Sequence, residues 1–353
     1  MKREEPLFDV AQLAHLEIYS PKIEESVAFF REILGMSVAA REGKSVYMRA
    51  YEDHYHNTLK ITDHHEAGLG HLSLRATSPN ALERRVKELE EKGYGIGWID
   101  GDVGHGPAYQ FKSPDGHLME IFYEVEYFEA PEEEKTKLLN RPQRRPNIGV
   151  PVRRLDHINL LSSNPRETVE FLEALLGFKV NERILDEDNN DIAAWTSVTN
   201  LAHDIAVMGD ALGEKGRLHH ICYWYGYPQS LTDVSDLLIE RGFEIEAGPL
   251  KHGVSQASCL YVCEPGGNRV ELFGDAGYLI FDPDWKTVEW KGEDLQKAII
   301  WQGAAELPAD FFRYGTPVRE EKVPAIAGQA PIEEETEDVR SVTVEESKEQ
   351  AKV

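Results

Sequence analysis

Apolar residues recur along this chain in two periodic patterns, and the order of these patterns repeats four times. Alternating apolar and polar positions over short segments predict strands. Apolar residues at helical spacing, such as Val169, Leu172 and Leu176, predict a helix after the first strand of each repeat. Three short strand candidates follow each helix. The pattern therefore predicts four βαβββ units.

The opening strands of the four units are similar in sequence and in their distance from the next glycine. The openings are LAHLEI (13–18), LGHLSL (69–74), LDHINL (155–160) and LHHICY (218–223). From the histidine to the glycine that ends the helix, the first and third units span 20 residues and the second and fourth span 22. The repeat therefore exists at two scales, the single unit and the pair of units.

The third unit carries clear signals for the start and end of its helix. Asn164 can cap the helix, Pro165 suits the first helical position, and Glu167 completes a capping-box pattern. Gly177 can take the left-handed conformation that ends the helix. These signals predict a helix that begins near Pro165 and ends at Gly177.

Pairing of the units predicts an α+β protein with two domains. The N-terminal domain covers residues 1–135 and the C-terminal domain covers residues 150–290, with the linker RPQRRPNIGVP between them. Residues 291–353 form an extension in which the repeat is lost. From Arg319 onward this extension is acidic with little to bury, which predicts a solvated or disordered tail.

Charge and cysteine content narrow the classes of partner. The chain has 353 residues, and 63 acidic against 38 basic side chains give a formal net charge of -25. A polyanion repels phosphate, so we expect neither nucleic acid nor an anionic membrane as a partner. Three cysteines without metal-type spacing, and an N-terminus without a signal segment, predict a reduced cytoplasmic protein.

One histidine stands at the same place in each of the four opening strands. Aligning these strands puts the histidines in one column: His15, His71, His157 and His220. The alignment favours His220 over its neighbour His219 as the counterpart of His157. Since residues i and i+2 of a strand share a face, Asn159 lies on the same side as His157 and is expected to contact substrate or satisfy a backbone group.

Each half of the chain also supplies a glutamate after its last turn. Glu271 lies in PGGNRVELFG, and Glu120 in PDGHLMEIFY is its equivalent. Two histidines and one carboxylate from three strands can occupy one face of a metal ion and leave three positions open, as an iron needs to hold a bidentate substrate and O2. A structural zinc site would be closed by four ligands, usually including cysteine.

The C-terminal half closely resembles the extradiol catechol dioxygenases of the vicinal oxygen chelate superfamily, especially the catechol 2,3-dioxygenases. The most specific part of the resemblance is the series His220, His252 in KHG, Tyr261 in LY and Glu271 in NRVELF. The separations within this series are 32, 9 and 10 residues. The resemblance extends from about residue 7 to residue 302 and implies the fold with four βαβββ modules in two domains.

The resemblance implies a metal centre and a reaction. It implies Fe(II), with Mn(II) as an alternative that the same ligands accept, held by His157, His220 and Glu271. It implies that O2 opens the ring of catechol next to the diol and gives 2-hydroxymuconic semialdehyde, in a homotetramer. The residues that it places around the metal and substrate are His203, His252 and Tyr261. Trp195, on the strand before His203, can line the same pocket or belong to the core.

Several alternatives remain open at this stage. Relatives that act on homoprotocatechuate carry an arginine where this chain has Ala247, which favours catechol or an alkylcatechol, although Lys251 keeps an acidic substrate open. Methylcatechols and dihydroxybiphenyl are the nearest other substrates. The same units also build glyoxalases and metal-free binding proteins. In the N-terminal half, His15, His71 and Glu120 form a second triad, but the position that matches Tyr261 is Gln110, so the site is interpreted as vestigial.

Overall fold

The fold contains the four predicted βαβββ units, arranged as two mixed β-sheets with helices. A computed structural model describes residues 7–303, 307–308 and 310–319. Each sheet is built from two units whose opening strands pair antiparallel at its centre. In each unit the last strand returns to lie parallel beside the first. The predicted α+β class is confirmed.

The N-terminal sheet has eight strands in the order β2-β3-β4-β1-β5-β8-β7-β6. The elements of this half are β1 (Val10–Ser20), α1 (Ile23–Glu32), β2 (Ser37–Glu42), β3 (Ser45–Arg49), β4 (Leu59–Asp63), β5 (Gly68–Ala76), α2 (Pro79–Glu91), β6 (Gly95–Ile99), β7 (Ala108–Lys112) and β8 (Leu118–Phe122). The order places β1, β5 and β8 side by side. These strands carry His15, His71 and Glu120.

The C-terminal sheet repeats this plan with nine strands in the order β14-β15-β16-β13-β9-β12-β11-β10-β17. Its elements are β9 (Arg154–Ser162), α3 (Pro165–Leu176), β10 (Lys179–Leu185), β11 (Asp191–Ser197), β12 (Ile205–Gly209), β13 (Arg217–Trp224), α4 (Gln229–Glu240), β14 (Ile245–Lys251), β15 (Ser258–Cys263), β16 (Arg269–Phe273), β17 (Val288–Trp290) and α5 (Leu295–Ile299). The ninth strand, β17, adds at the edge beside β10.

Alternation along the central strands separates core from site. On β9, Ile158 and Leu160 are fully buried in the main apolar core. Their neighbours His157 and Asn159 are equally inaccessible but line a cavity on the other face of the sheet. Successive side chains of a strand point to opposite faces, so a single strand serves both purposes. The sheet therefore presents its polar residues to one enclosed space.

The two halves share one apolar core. Phe29 on α1 contacts Phe243 edge to face with ring centroids 5.2 Å apart, and Tyr94 contacts Phe171 on α3 at 4.7 Å. The described residues accordingly belong to one compact unit. Each sheet lies within one of the predicted ranges 1–135 and 150–290, and their division into two domains stays a prediction. The predicted disordered tail lies outside the described residues, apart from its first residue, Arg319.

The helix boundaries follow the sequence signals, with one difference. Asn164 caps α3 by accepting a hydrogen bond from the backbone N–H of Glu167 at 3.4 Å. In the capping box the Glu167 side chain would accept from the backbone N–H of Asn164, but that N–H donates to Ser162 Oγ at 3.2 Å. Glu167 instead accepts from the Asn164 side-chain amide. Among the described residues, no helix is long and apolar enough to cross a bilayer.

Two glycines that end helices give a matched test of this packing. Gly177 and Gly242 have φ of 75° and 77°, so an alanine at either position is strained by about 1 kcal/mol. A Cβ at Gly177 would also lie 2.7 Å from the Leu7 carbonyl oxygen, whereas a Cβ at Gly242 meets nothing within 4 Å. We expect Gly177→Ala to lower the free energy of unfolding by about 2 to 3 kcal/mol and Gly242→Ala by about 1 kcal/mol. Equal losses in denaturant titrations would contradict this packing.

Candidate metal centre

Three side chains on adjacent strands converge on one point. His157 lies on β9, His220 on β13 and Glu271 on β16. Glu271 Oε2 is 2.9 Å from His157 Nε2 and 3.0 Å from His220 Nε2, and the two Nε2 atoms are 3.3 Å apart. Ligand atoms about 2.1 Å from one ion, at angles of about 90° to 109°, lie roughly 3.0 to 3.4 Å apart. The cluster therefore has the dimensions of a metal site.

Burial and mutual contact set the charges of this cluster. The three side chains are at most 4% exposed. Burial disfavours the carboxylate, but His220 and His157 outweigh it and hold the pKa of Glu271 well below its usual range. Burial lowers the pKa of His220 to about 4. Burial opposes the charged form of His157 too, but Asp156 and Glu271 raise its pKa to about 9. An anionic oxygen beside two imidazoles suits a divalent cation.

Groups around the cluster orient the two imidazoles. His157 Nδ1 donates to Asp156 Oδ1 at 3.0 Å. His220 Nδ1 lies 2.6 Å from His219 Nδ1, and His219 Nε2 donates to the Phe311 carbonyl at 3.1 Å. Because His219 donates through Nε2, its Nδ1 accepts from His220 Nδ1. In both arrangements Nδ1 is held by an outer partner and Nε2 faces the cluster, as in metal-bound histidines, and the proton on His157 would leave when a metal binds.

One buried carboxylate oxygen completes the test of fit. Glu271 Oε1 has no hydrogen-bond partner within the described part of the chain. Its neighbour His252 Nε2 is 3.5 Å away, at the limit for a hydrogen bond. An unsatisfied anionic oxygen in a buried site is costly. A divalent ion at the other oxygen, Oε2, between the two Nε2 atoms would neutralise this buried carboxylate, so the residues fit a metal.

Three more polar side chains face the same cluster. His252 Nδ1 donates to the Ile299 carbonyl, which leaves its Nε2 to accept from the Tyr261 hydroxyl at 2.8 Å. Burial, with Glu271 nearby, raises the pKa of Tyr261 well above its usual range, so Tyr261 keeps its proton. The His203 ring centroid lies 4.0 Å from that of His157. Burial lowers the pKa of His203 well below its usual range, so its imidazole is neutral.

All eight residues that the sequence placed at the site line one cavity. They are His157, Asn159, Trp195, His203, His220, His252, Tyr261 and Glu271. The structure adds side chains that the sequence analysis did not assign: Met208, His219, Val254, Ser255, Phe273, Ile299, Phe311 and Phe312. The cluster of aromatic residues at 311–314 was a signal for the last two. His219 was set aside as a ligand, and the structure makes it the partner that orients His220.

A second groove does not compete for this role. It has a volume of about 420 Å³ and lies between residues of both halves, including Asp53, Tyr55 and Arg154. None of the eight site residues lines it, and among the described residues no group that could hold a metal lies wholly in its lining. The smaller cavity, which holds the eight predicted residues, is therefore the candidate site.

Fold and site together define a class of protein: repeated βαβββ units that enclose a buried centre of two histidines and one glutamate. The model of the Glyoxalase/Bleomycin resistance protein/Dioxygenase superfamily matches residues 12–121 and 154–272. These ranges cover both sheets apart from β17 and a few terminal strand residues, and they include all three residues of the proposed metal cluster. The chain belongs to this superfamily.

Its relatives narrow the class. The chain is 60% identical to a metapyrocatechase of Geobacillus stearothermophilus, over 91% of this chain and 98% of that protein. It is 40% identical to a manganese-dependent 2,3-dihydroxybiphenyl 1,2-dioxygenase of Geobacillus genomosp. 3, over 85% of this chain and 96% of that protein. It also superposes on the homoprotocatechuate 2,3-dioxygenase of Brevibacterium fuscum with a TM-score of 0.76 and 27% identity, covering 89% and 95% of the two chains.

Proposed function

We propose that this protein is an extradiol dioxygenase that opens the ring of catechol with O2 to give 2-hydroxymuconic semialdehyde. The observation that carries the proposal is the cluster of His157, His220 and Glu271, whose ligand atoms lie 2.9 to 3.3 Å apart in a buried cavity. The 60% identity of this chain to a metapyrocatechase supports the same reaction. Both atoms of O2 enter the product.

The proposal assigns a divalent metal to this cluster, and Fe(II) as the ion. His157, His220 and Glu271 would hold the ion, which when bound would supply a centre at which the diol and O2 can react together. Mn(II) accepts the same nitrogen and oxygen ligands, and one relative is manganese-dependent. Metal dependence distinguishes this function from that of a metal-free binding protein with the same fold.

His252 and Tyr261 are assigned to the substrate oxygens. Their hydrogen bond of 2.8 Å places both side chains beside Glu271 on one wall of the cavity. Tyr261 keeps its proton and can donate to a substrate oxygen, while His252 Nε2 is an acceptor for a substrate hydroxyl. The pair can therefore orient catechol and hold the proton that one hydroxyl loses.

His203 is assigned to proton transfer. Its Nδ1 is buried without a hydrogen-bond partner among the described residues. The neutral ring lies against His157 and Phe273, with centroid separations of 4.0 and 6.1 Å. A neutral imidazole can accept a proton and return it, which is the role of a general acid and base.

The cavity favours a neutral substrate. Its described lining contains no lysine or arginine, and most of the lining away from the metal cluster is apolar. Ala247 lies opposite Tyr261 in the pair of β14 and β15, so this position is next to the site. Lys251, which the sequence left as a partner for an acidic group, is not among the lining residues. A carboxylate on the substrate would therefore be buried without a partner.

Oxygen uptake tests both the reaction and this selectivity. With protein reconstituted with Fe(II), we expect one O2 consumed per catechol. We expect kcat/KM to be lower by at least about 10²-fold for 3,4-dihydroxyphenylacetate, because its charge has no partner. 2,3-Dihydroxybiphenyl, measured in parallel, tests the runner-up substrate. Equal kcat/KM for catechol and the acidic catechol would contradict the assignment.

Assembly and location are further parts of the proposal. A homotetramer is proposed from the family resemblance, and large apolar side chains that are more than half exposed support an interface: Phe8, Trp98, Phe281 and Trp301. Light scattering of the purified protein tests the assembly. A reducing cytoplasm is proposed because all three cysteines are free thiols.

A further inference from the structure

A second group of histidines and one carboxylate lies in the N-terminal sheet. His15 on β1, His71 on β5 and Glu120 on β8 occupy the strands that correspond to β9, β13 and β16. The two Nε2 atoms are 3.1 Å apart, and they lie 3.2 and 3.3 Å from Glu120 Oε1. These separations match those of the cluster proposed for catalysis, and they match atoms that share one ion.

A fourth side chain joins this group. His105, in the loop between β6 and β7, has its Nε2 3.6 Å from Glu120 Oε1, and its side chain is 2% exposed. The ring stacks on that of His15 with centroids 4.9 Å apart. The His105 Nε2 is buried and has no hydrogen-bond partner among the described residues. An unsatisfied nitrogen beside a buried carboxylate points to a missing cation.

Groups outside the cluster direct its nitrogens inward. His71 Nδ1 donates to Glu17 Oε2 at 2.8 Å, and His105 Nδ1 donates to the Gly106 carbonyl at 2.8 Å. Both Nε2 atoms therefore face the cluster. A carboxylate or a backbone carbonyl behind the imidazole is the usual outer partner of a metal-bound histidine. The arrangement parallels Asp156 behind His157.

We propose that the N-terminal half binds a divalent transition-metal ion through His15, His71, His105 and Glu120. Three imidazoles and one carboxylate suit Zn2+ and similar first-row ions. Four protein ligands would leave no coordination position open for a substrate, in contrast to the three-ligand centre of the C-terminal half. The ion would tie β1, β5 and β8 to the loop that carries His105, and its role would be structural.

A proton and the Ser73 hydroxyl compete with an ion for this site, because Ser73 Oγ donates to Glu120 Oε1 at 2.5 Å and lies 2.7 Å from His15 Nε2. Burial opposes the charged form of His71, but hydrogen bonds to Glu120 and Glu17 raise its pKa to about 9. A protonated His71 between two carboxylates is the arrangement expected of the vestigial site that the sequence favours. Metal binding releases such a proton. The two interpretations therefore differ in a measurable quantity, the number of ions held per chain.

The residue His105 lies at the edge of an acidic groove. His105 borders an open groove of about 490 Å³ whose other walls include Asp102, Glu124 and Glu126. Carboxylates at the entrance raise the local concentration of cations. A metal site needs such an entry path.

Calorimetric titration with Zn2+ tests the proposal. The titrated protein is the full-length Glu271→Ala variant after removal of metal, so that the C-terminal cluster does not compete. We expect this variant to bind about one Zn2+ per chain, and the Glu271→Ala/Glu120→Ala variant to bind none with comparable affinity. Replacing the exposed His65 with Asn in the Glu271→Ala background is the control and leaves the stoichiometry unchanged.

A loop variant keeps the test valid if Glu120→Ala does not fold. In the Glu271→Ala background, His105→Asn alters only the loop, and we expect Zn2+ affinity to fall by at least about 10-fold. The proposal is overturned if Glu271→Ala takes up no Zn2+, or if both N-terminal variants bind it as Glu271→Ala does. These outcomes leave the catalytic assignment untouched, because that is tested by iron content and ring cleavage.

Discussion

Replacing Glu271 with alanine is expected to remove both the catalytic iron and ring cleavage. Glu271 contributes the only anionic oxygen among the three proposed ligands and contacts both histidines within 3.0 Å. Without it, two imidazoles remain to hold the ion. Iron content measured by mass spectrometry should fall by about one ion per chain, and kcat/KM by about 10⁴-fold or more. His157→Ala and His220→Ala should behave in the same way.

The control for this prediction is Glu240→Ala, a change of the same type at the exposed end of α4. It should leave iron content and turnover unchanged. Full iron occupancy in any of the three ligand variants would overturn the ligand assignment. Circular dichroism separates loss of metal from loss of fold.

Replacing His203 with alanine is expected to slow turnover while iron and catechol still bind. The ring contacts His157 but lies outside the three-residue cluster. Loss of a general acid and base costs about 10² to 10⁴-fold in kcat. Tyr261→Phe removes only a hydroxyl, so we expect a smaller loss, of about 10-fold. Iron content, anaerobic catechol affinity and kcat measure the three quantities separately.

His56→Ala is the matched control for His203→Ala. His56 precedes β4 by three residues as His203 precedes the equivalent strand β12 by two, and no catalytic role is proposed for it, so kcat should not change. Unchanged kcat in His203→Ala would remove this residue from the mechanism. Loss of iron in His203→Ala would show that His203 supports the metal rather than the proton transfer.

The sequence predicted the arrangement of strands because local patterns determine it. The alternation in LDHINL determines which side chains of β9 face the core. The spacing from His157 to Gly177 limits the combined length of β9 and α3. Once opening strands pair at the centre of a sheet, histidines at corresponding positions must meet. The candidate ligands could therefore be chosen from one aligned column and the last strand.

Other features depend on contacts that no local pattern contains. Met208 and Ile299 reach the cavity from β12 and the C-terminal extension, which meet only in the folded chain. The role of His219 depends on which of its ring nitrogens faces His220. The strand pattern contains no information about that contact and gave His219 no role at the site. His105 lies in a loop outside the repeated strands. At the start of α3 the Ser162 hydroxyl, rather than the Glu167 side chain, accepts the hydrogen bond from the Asn164 backbone N–H. The capping-box pattern does not include Ser162.

The most direct test of the central claim is the appearance of product from catechol. Wild-type protein reconstituted with Fe(II) is mixed with catechol in air, beside Glu271→Ala treated identically. The account predicts the yellow ring-opened semialdehyde with wild type and none with the variant. Wild-type protein that holds iron and forms no yellow product, or a variant that forms it as fast as wild type, would contradict the proposed function.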